Sequence, residues 1–253
     1  MSLSSFGHTA NYTYIDEALR AQWVTYQKLA DEMKSFVPRP KEDFKPARDE
    51  EIERLRILNP QQSVEQLAAL VDRQFTIRSS EWWQFHELFD QRHASAYITV
   101  VMLSHSLCEA VINAVLAIGL ASNDSAELFS LIDRADFRQK WVLGPRSFQP
   151  GYRFPTSSAM HETLTTLMRE RNAIVHMKID IEVAGNTLIE GSSFERKPYP
   201  EEQKWILRFF SLPYDLADFA RRALLDIPVM LLFDRRPIVR ATEHMLAPPK
   251  SGD

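Results

Sequence analysis

The sequence predicts a mainly all-α protein, an antiparallel helical bundle with an N-terminal helical extension. Three observations lead there. Apolar residues recur at helical spacing over long stretches, the pattern of helices with one buried face. Residues with N-cap chemistry stand directly ahead of several such stretches. Glycine is scarce, 7 in 253 residues, and period-two alternation is confined to one short segment. Hydrophobic residues make up 45% of the chain and charged residues 25%, which excludes a disordered, collagen-like or low-complexity protein. At ~150 residues per domain, the length fits one large domain or two small ones.

Over residues 14–34, Ile15, Leu19, Trp23, Tyr26, Leu29, Ala30 and Met33 form one apolar stripe and predict the first helix. Pro38, Pro40 and Pro46 break it, so the proline- and charge-rich stretch 38–49 reads as a linker, with a short helix after it. Ser63-Val-Glu-Gln66 has capping-box spacing before Leu67, Leu70 and Val71, and a new helix starts there. It breaks near 78–80 and resumes over 82–92. A central helix over about 95–120 is apolar on nearly every face and ends at Gly119 and the polar Ser122-Asn-Asp-Ser125.

Asp124-Ser-Ala-Glu127 carries capping chemistry for the next helix, buried through Leu128, Phe129, Leu131, Ile132, Phe137 and Trp141. Residues 144–155 are a loop. A helix over 158–178 follows, then a small β-hairpin over 179–189 turning at Ala184-Gly-Asn186. The last strong helix covers 214–233, kinked or restarted at Pro228. The expected organisation is an N-terminal helical extension (1–90, with the linker near 38–49), a helical domain (91–241) and a flexible tail (242–253).

Thirty Lys and Arg against 34 Asp and Glu give a net charge of −4, so the whole molecule is no general nucleic-acid binder. Any such site must be a local patch. Between residues 134 and 178, eight basic residues meet only Asp136, Glu162 and Glu170, the footprint of a localised RNA or nucleotide site or of a solvated helix face. The single cysteine, Cys108, excludes an intramolecular disulfide and a Cys-rich zinc site, and its apolar surroundings fit a reduced thiol in the cytoplasm. The N-terminal residues lack the basic start and apolar run of a secretory signal. Residues 97–120 are long enough to span a membrane, yet Ser104, His105, Ser106, Glu109 and Asn113 interrupt them. They read as a buried central helix with no membrane partner.

The helix over 158–178 has a core stripe of Leu164, Leu167, Met168, Ile174 and Val175, and Arg171 falls inside it. An arginine there must find a partner or a cavity. His176 lies about 140° around the helix from Arg171 but only about 40° from Asn172. Arg171 must therefore reach around to it or meet a histidine of another chain. In the central helix His105, Glu109 and Asn113 repeat every four residues and share a face. Glu109 either pairs with Arg171 through a bidentate contact or faces solvent.

Arg171-Asn172, three residues and His176, preceded by the apolar helix with Ser106-Leu-Cys-Glu109-Ala-Val-Ile-Asn113, resemble the HEPN superfamily. The resemblance covers roughly residues 95–233. It implies an all-helical bundle that dimerises so that two motif helices line a shared cleft. It also implies metal-independent cleavage of RNA, with no cofactor and no metal, as in family members from toxin–antitoxin, phage-defence and RNA-processing systems. An antitoxin or defence-system protein is then a possible class of partner, beside RNA or a nucleotide and a second copy of the chain. By the same resemblance Arg171 and His176 match the catalytic pair, Asn172 the polar residue after the arginine, and Glu109 the acidic position of the earlier helix. Arg169, Lys178, His105 and Asn113 are the expected substrate contacts.

Those residue types suit the reaction. Histidine exchanges protons near neutral pH, and arginine offers a permanent charge with planar donors matched to phosphate oxygens. The alternative is a catalytically inactive binding or dimerisation module for a nucleotide, RNA or protein, with Arg171 engaged by Glu109 and His176 capping its helix. His86, Glu87, Asp90 and His93 have metal-compatible spacing but read as a solvated face, and His161-Glu162 lacks the second histidine of a zinc-protease helix. Trp82, Trp83, Phe85 and Phe89 read as core or interface.

Overall fold

The computed structural model describes residues 6–175, 181–183, 186–189 and 199–224. They are mostly helical. Eight α-helices are described: α1 (Phe6–Lys34), α2 (Lys45–Leu58), α3 (Val64–Arg78), α4 (Glu81–Ser122), α5 (Phe129–Ile132), α6 (Phe137–Val142), α7 (Ala159–Val175) and α8 (Tyr199–Ala223). Between α7 and α8, β1 (Ile181–Val183) pairs antiparallel with β2 (Asn186–Ile189). Contacts divide the chain into two compact units, Val24–Ala96 and the combination of Met1–Trp23 with Tyr97–Asp253.

In the unit Val24–Ala96, Tyr26, Leu29 and Ala30 of α1, Leu67, Val71 and Phe75 of α3 and Phe89 of α4 are buried. The capping box forms as the sequence predicts: Gln66 N–H donates to Ser63 Oγ at 3.3 Å, and Ser63 N–H donates to Gln66 Oε1 at 3.2 Å. The expected linker is shorter than its prolines suggest. Pro46 opens α2, a position where the missing N–H has no helical partner to lose. Gln84 holds the preceding segment, accepting from Arg39 N–H at 2.8 Å and donating to the Arg39 carbonyl at 3.1 Å.

The segments 82–92 and 95–120 form a single helix of 42 residues. No proline or glycine intervenes between them, so nothing interrupts the backbone ladder. α4 is long and apolar enough to cross a membrane, but Val100, Val101, Leu107, Val111, Ile112, Val115 and Leu116 on it are fully buried core residues of this protein.

In the second unit that core includes Phe137 and Trp141 of α6, Leu164 and Leu167 of α7, and Ile206, Phe209, Phe210 and Leu216 of α8. α8 begins well before the expected position 214 and carries Pro213 inside it. The first 23 residues also belong here rather than to a separate extension over 1–90. Trp23 stacks on Phe210 with ring centroids 4.3 Å apart. Asp16 accepts from Tyr214 Oη at 2.5 Å and from Arg20 Nε at 3.0 Å, and the Arg20 guanidinium lies over the Tyr214 ring.

The expected single helix over 124–141 is broken. Asp124 takes a left-handed conformation, φ 55°, and the cap of α6 is Asp136, whose Oδ1 accepts from Arg138 N–H at 3.0 Å and Gln139 N–H at 3.3 Å. Short acidic side chains compete with the helical ladder in this way. Gly119 lies inside α4 and serves close packing there: a Cβ at this position would stand 2.4 Å from the Phe148 ring. Gly119→Ala should therefore destabilise the fold by about 1–3 kcal/mol, the range for overpacked cores. Urea unfolding checks this, and an unchanged midpoint would show that Phe148 moves aside freely.

Candidate functional site

The polar stripe of α4 meets α6. The His105 ring lies 4.4 Å from the Phe137 ring, and one turn further along α6 the Lys140 ammonium enters between Glu109 and Asn113. Lys140 Nζ donates to Glu109 Oε1 at 3.2 Å, Asn113 Oδ1 at 3.1 Å and Asp133 Oδ1 at 3.2 Å. The Lys140 side chain is 2% exposed, whereas those of Glu109 and Asp133 are 39% and 48% exposed. Three N–H donors thus meet three acceptors, which is what a buried ammonium requires. Both carboxylates keep much of their hydration, so the desolvation cost falls mainly on the lysine.

Arg171 does not pair with Glu109. The expected partner is held by Lys140 instead, because α6 presents that lysine to the same face of α4. Arg171 Nη1 donates to the Oδ1 of exposed Asn172 at 3.0 Å. Its Nε is sealed from solvent with no hydrogen-bond partner, and no carboxylate lies within ion-pair distance among the described residues. The stripe around it is also looser than the sequence implies. Leu164 and Leu167 are fully buried, but Met168, Arg171 and Ile174 are half-buried and Val175 is exposed.

His105 is mostly buried, and its pKa lies below the ordinary histidine value. Burial is the first cause; Arg171 and Lys140 push the same way, and Glu109 opposes them. Among the described residues no group hydrogen-bonds its ring, and neither ring nitrogen is one of the sealed unpaired atoms. The site therefore combines a neutral imidazole, a guanidinium without a counter-ion among the described residues and an ammonium held by two carboxylates. Such a set can accept a proton and stabilise an anion.

Glu109, Asn113, Asp133 and Lys140 are thus brought together, with His105 one turn away on α4, and Arg171 is linked to them only through its charge acting on His105. Arg169 is not brought in: it is exposed and lies 3.7 Å from Glu170, which accepts from Tyr97 Oη at 3.3 Å. His176 and Lys178 lie outside the described residues. Sequence reasoning missed Lys140, although a charge one residue before Trp141 and three after Phe137 interrupts a buried face just as Arg171 does. His86 binds Asp90 at 2.7 Å and rests against Trp82, and no cluster of three metal-ligating residues exists among the described residues. None of the known family models matches this chain, nor does any curated protein or solved structure.

The three-acceptor arrangement has a measurable signature. Glu109→Ala should cost only about 1–2 kcal/mol, since Asn113 and Asp133 still hold the ammonium. Glu109→Ala with Asp133→Ala removes both counter-charges and should cost about 3–5 kcal/mol, as for a broken buried pair. Chemical unfolding of the two single variants and the double variant checks this. A double variant no less stable than an exposed Glu→Ala control would mean that Lys140 escapes to water.

Proposed function

We propose that the chain is an endoribonuclease of HEPN type, acting on RNA in the cytoplasm as a two-fold dimer. On this reading the helical unit is a bundle of that type, and the strand pair 181–183 and 186–189 is the hairpin after the motif helix. The observation that carries it is Arg171, which is half-buried with an unpartnered Nε and, among the described residues, no carboxylate within ion-pair distance. An inactive module would consume that charge in an internal ion pair, but Glu109 is engaged elsewhere. A guanidinium with no carboxylate partner among the described residues suits a phosphate.

The chemistry follows from the side chains. One His176 of the dimer takes the 2′-hydroxyl proton as that oxygen bonds to the adjacent phosphorus, Arg171 stabilises the charge that builds on the phosphoryl oxygens, and the second copy's His176 protonates the 5′-oxygen as its bond to phosphorus breaks. On this reading Asn172 orients His176 or the RNA. Residues five apart are about 140° around an ideal helix, so a second copy with its own motif opposite is what brings an Arg171 and a His176 together in the proposal.

Purified protein should cleave RNA in excess EDTA, leaving a cyclic phosphate, and Arg171→Ala and His176→Ala should each abolish cleavage. Equal activity in either variant would remove the assigned pair. Light scattering at low micromolar concentration should give a dimer. Mixing the two inactive variants should recover part of the activity if each site draws on both chains; a monomer, or mixtures that stay inert, would show that each chain's site is independent.

A further inference from the structure

We infer that the first turns of α4 are a docking surface for a protein partner that presents a basic segment, arginine or lysine interspersed with apolar residues. The surface lies in the unit Val24–Ala96, and the inference does not depend on the ribonuclease reading. The four aromatic residues that open α4 part ways in the structure. Phe89 is buried and Phe85 half-buried, each with its ring 5.6 Å from that of Phe36. Trp82 is 63% exposed and Trp83 36% exposed, so the tryptophans add little to that core. Tryptophan is among the side chains most enriched where protein interfaces hold their binding energy.

The surface is set before any partner arrives. Ser80 Oγ accepts from Trp83 N–H at 3.2 Å and fixes the start of the helix. The His86 ring rests 4.2 Å from the Trp82 ring, and its Nδ1 bonds to Asp90 Oδ2 at 2.7 Å. At about 100° per residue, Trp82, His86, Asp90, Trp83 and Glu87 follow one another within about 140° of the helix circumference.

Charge selects the partner. Glu87 and Asp90 are exposed, residues 81–91 contain no lysine or arginine, and the next cation, Arg92, is held by Glu32 at 2.8 Å. Among the described residues no lysine or arginine lies within ion-pair distance of Glu87. A helix favours acidic side chains in its first turn, but both of these stand beyond it, so the macrodipole does not account for them. An indole face beside carboxylates suits a cation: a guanidinium or ammonium stacks on Trp82 with Glu87 or Asp90 as counter-charge, while an apolar neighbour rests on Trp83. The same carboxylates repel a phosphate backbone, although bases can stack on tryptophan.

The test is fluorescence anisotropy with the full chain. Its probes are a labelled peptide of alternating arginine and leucine, the same peptide with glutamate in place of arginine, and a labelled single-stranded DNA, which lacks the 2′-hydroxyl and so is not consumed. Only the basic peptide should bind. Trp82→Ala should weaken it by about tenfold or more, Trp82→Phe should keep part of the affinity, and Glu87→Lys should weaken it most at low salt. Glu50→Lys, the same charge change on exposed α2, should leave it within twofold. Circular dichroism establishes that the variants fold, and Glu87→Lys carries the test if Trp82→Ala does not. No saturable binding of the basic peptide, or binding that Trp82→Ala and Glu87→Lys leave unmoved, overturns the inference. DNA binding that Trp82→Ala abolishes overturns it in favour of a polynucleotide, and an oligomer that Trp82→Ala splits in light scattering overturns it in favour of a second copy.

Discussion

A buried ammonium must have every donor answered, and Lys140 makes that demand at the junction of α4 and α6. Its three acceptors come from two places, Glu109 and Asn113 on α4 and Asp133 in the turn before α6. The spacing of four between Glu109 and Asn113 matches one helical turn, so α4 cannot rotate about its axis without uncovering the charge. That fixes which side of a nearly all-apolar helix faces α6, and hence which of its residues enter the core. α6 itself is barely two turns long and has little intrinsic stability. The lysine contacts, the Asp136 cap and the buried Phe137 and Trp141 set its position instead.

The same constraint decides what remains for chemistry. Glu109 answers Lys140, and Arg171 has no carboxylate within ion-pair distance among the described residues. His105, one turn back along the stripe, receives two repulsive cations against one attractive carboxylate, in addition to its burial, and stays neutral.

Much of the helical content was legible because apolar periodicity and capping chemistry are local signals. Ser63 and Gln66 form the capping box that their spacing implies, and Leu164 and Leu167 face the core. The errors have non-local causes. Residues 124–141 have a continuous enough apolar pattern to suggest one helix, but Asp124, Asp133 and Asp136 offer the backbone turn and cap geometries that compete with it. The last helix was expected from 214, yet the buried Ile206, Phe209 and Phe210 ahead of Pro213 carry α8 through that point. In the site, the α4 stripe and the exceptional status of Arg171 were legible from spacing alone. The choice of Lys140 over Arg171 as the partner of Glu109 was not, since it depends on where a short helix packs.

The gradient of burial along α7 bears on how the site meets its ligand. Leu164 and Leu167 hold the first half of the helix in the core, while Ile174 is half-buried and Val175 is 45% exposed. Arg171 and Asn172 therefore sit where the helix leaves the core, and not on its anchored half. No basic side chain occupies its described last turn, so nothing there offsets the partial negative charge of the terminal carbonyls. In the proposed dimer the half-exposed Ile174 and exposed Val175 are the apolar surface that a second motif helix covers, and excluding water there strengthens the pull of Arg171 on an anion.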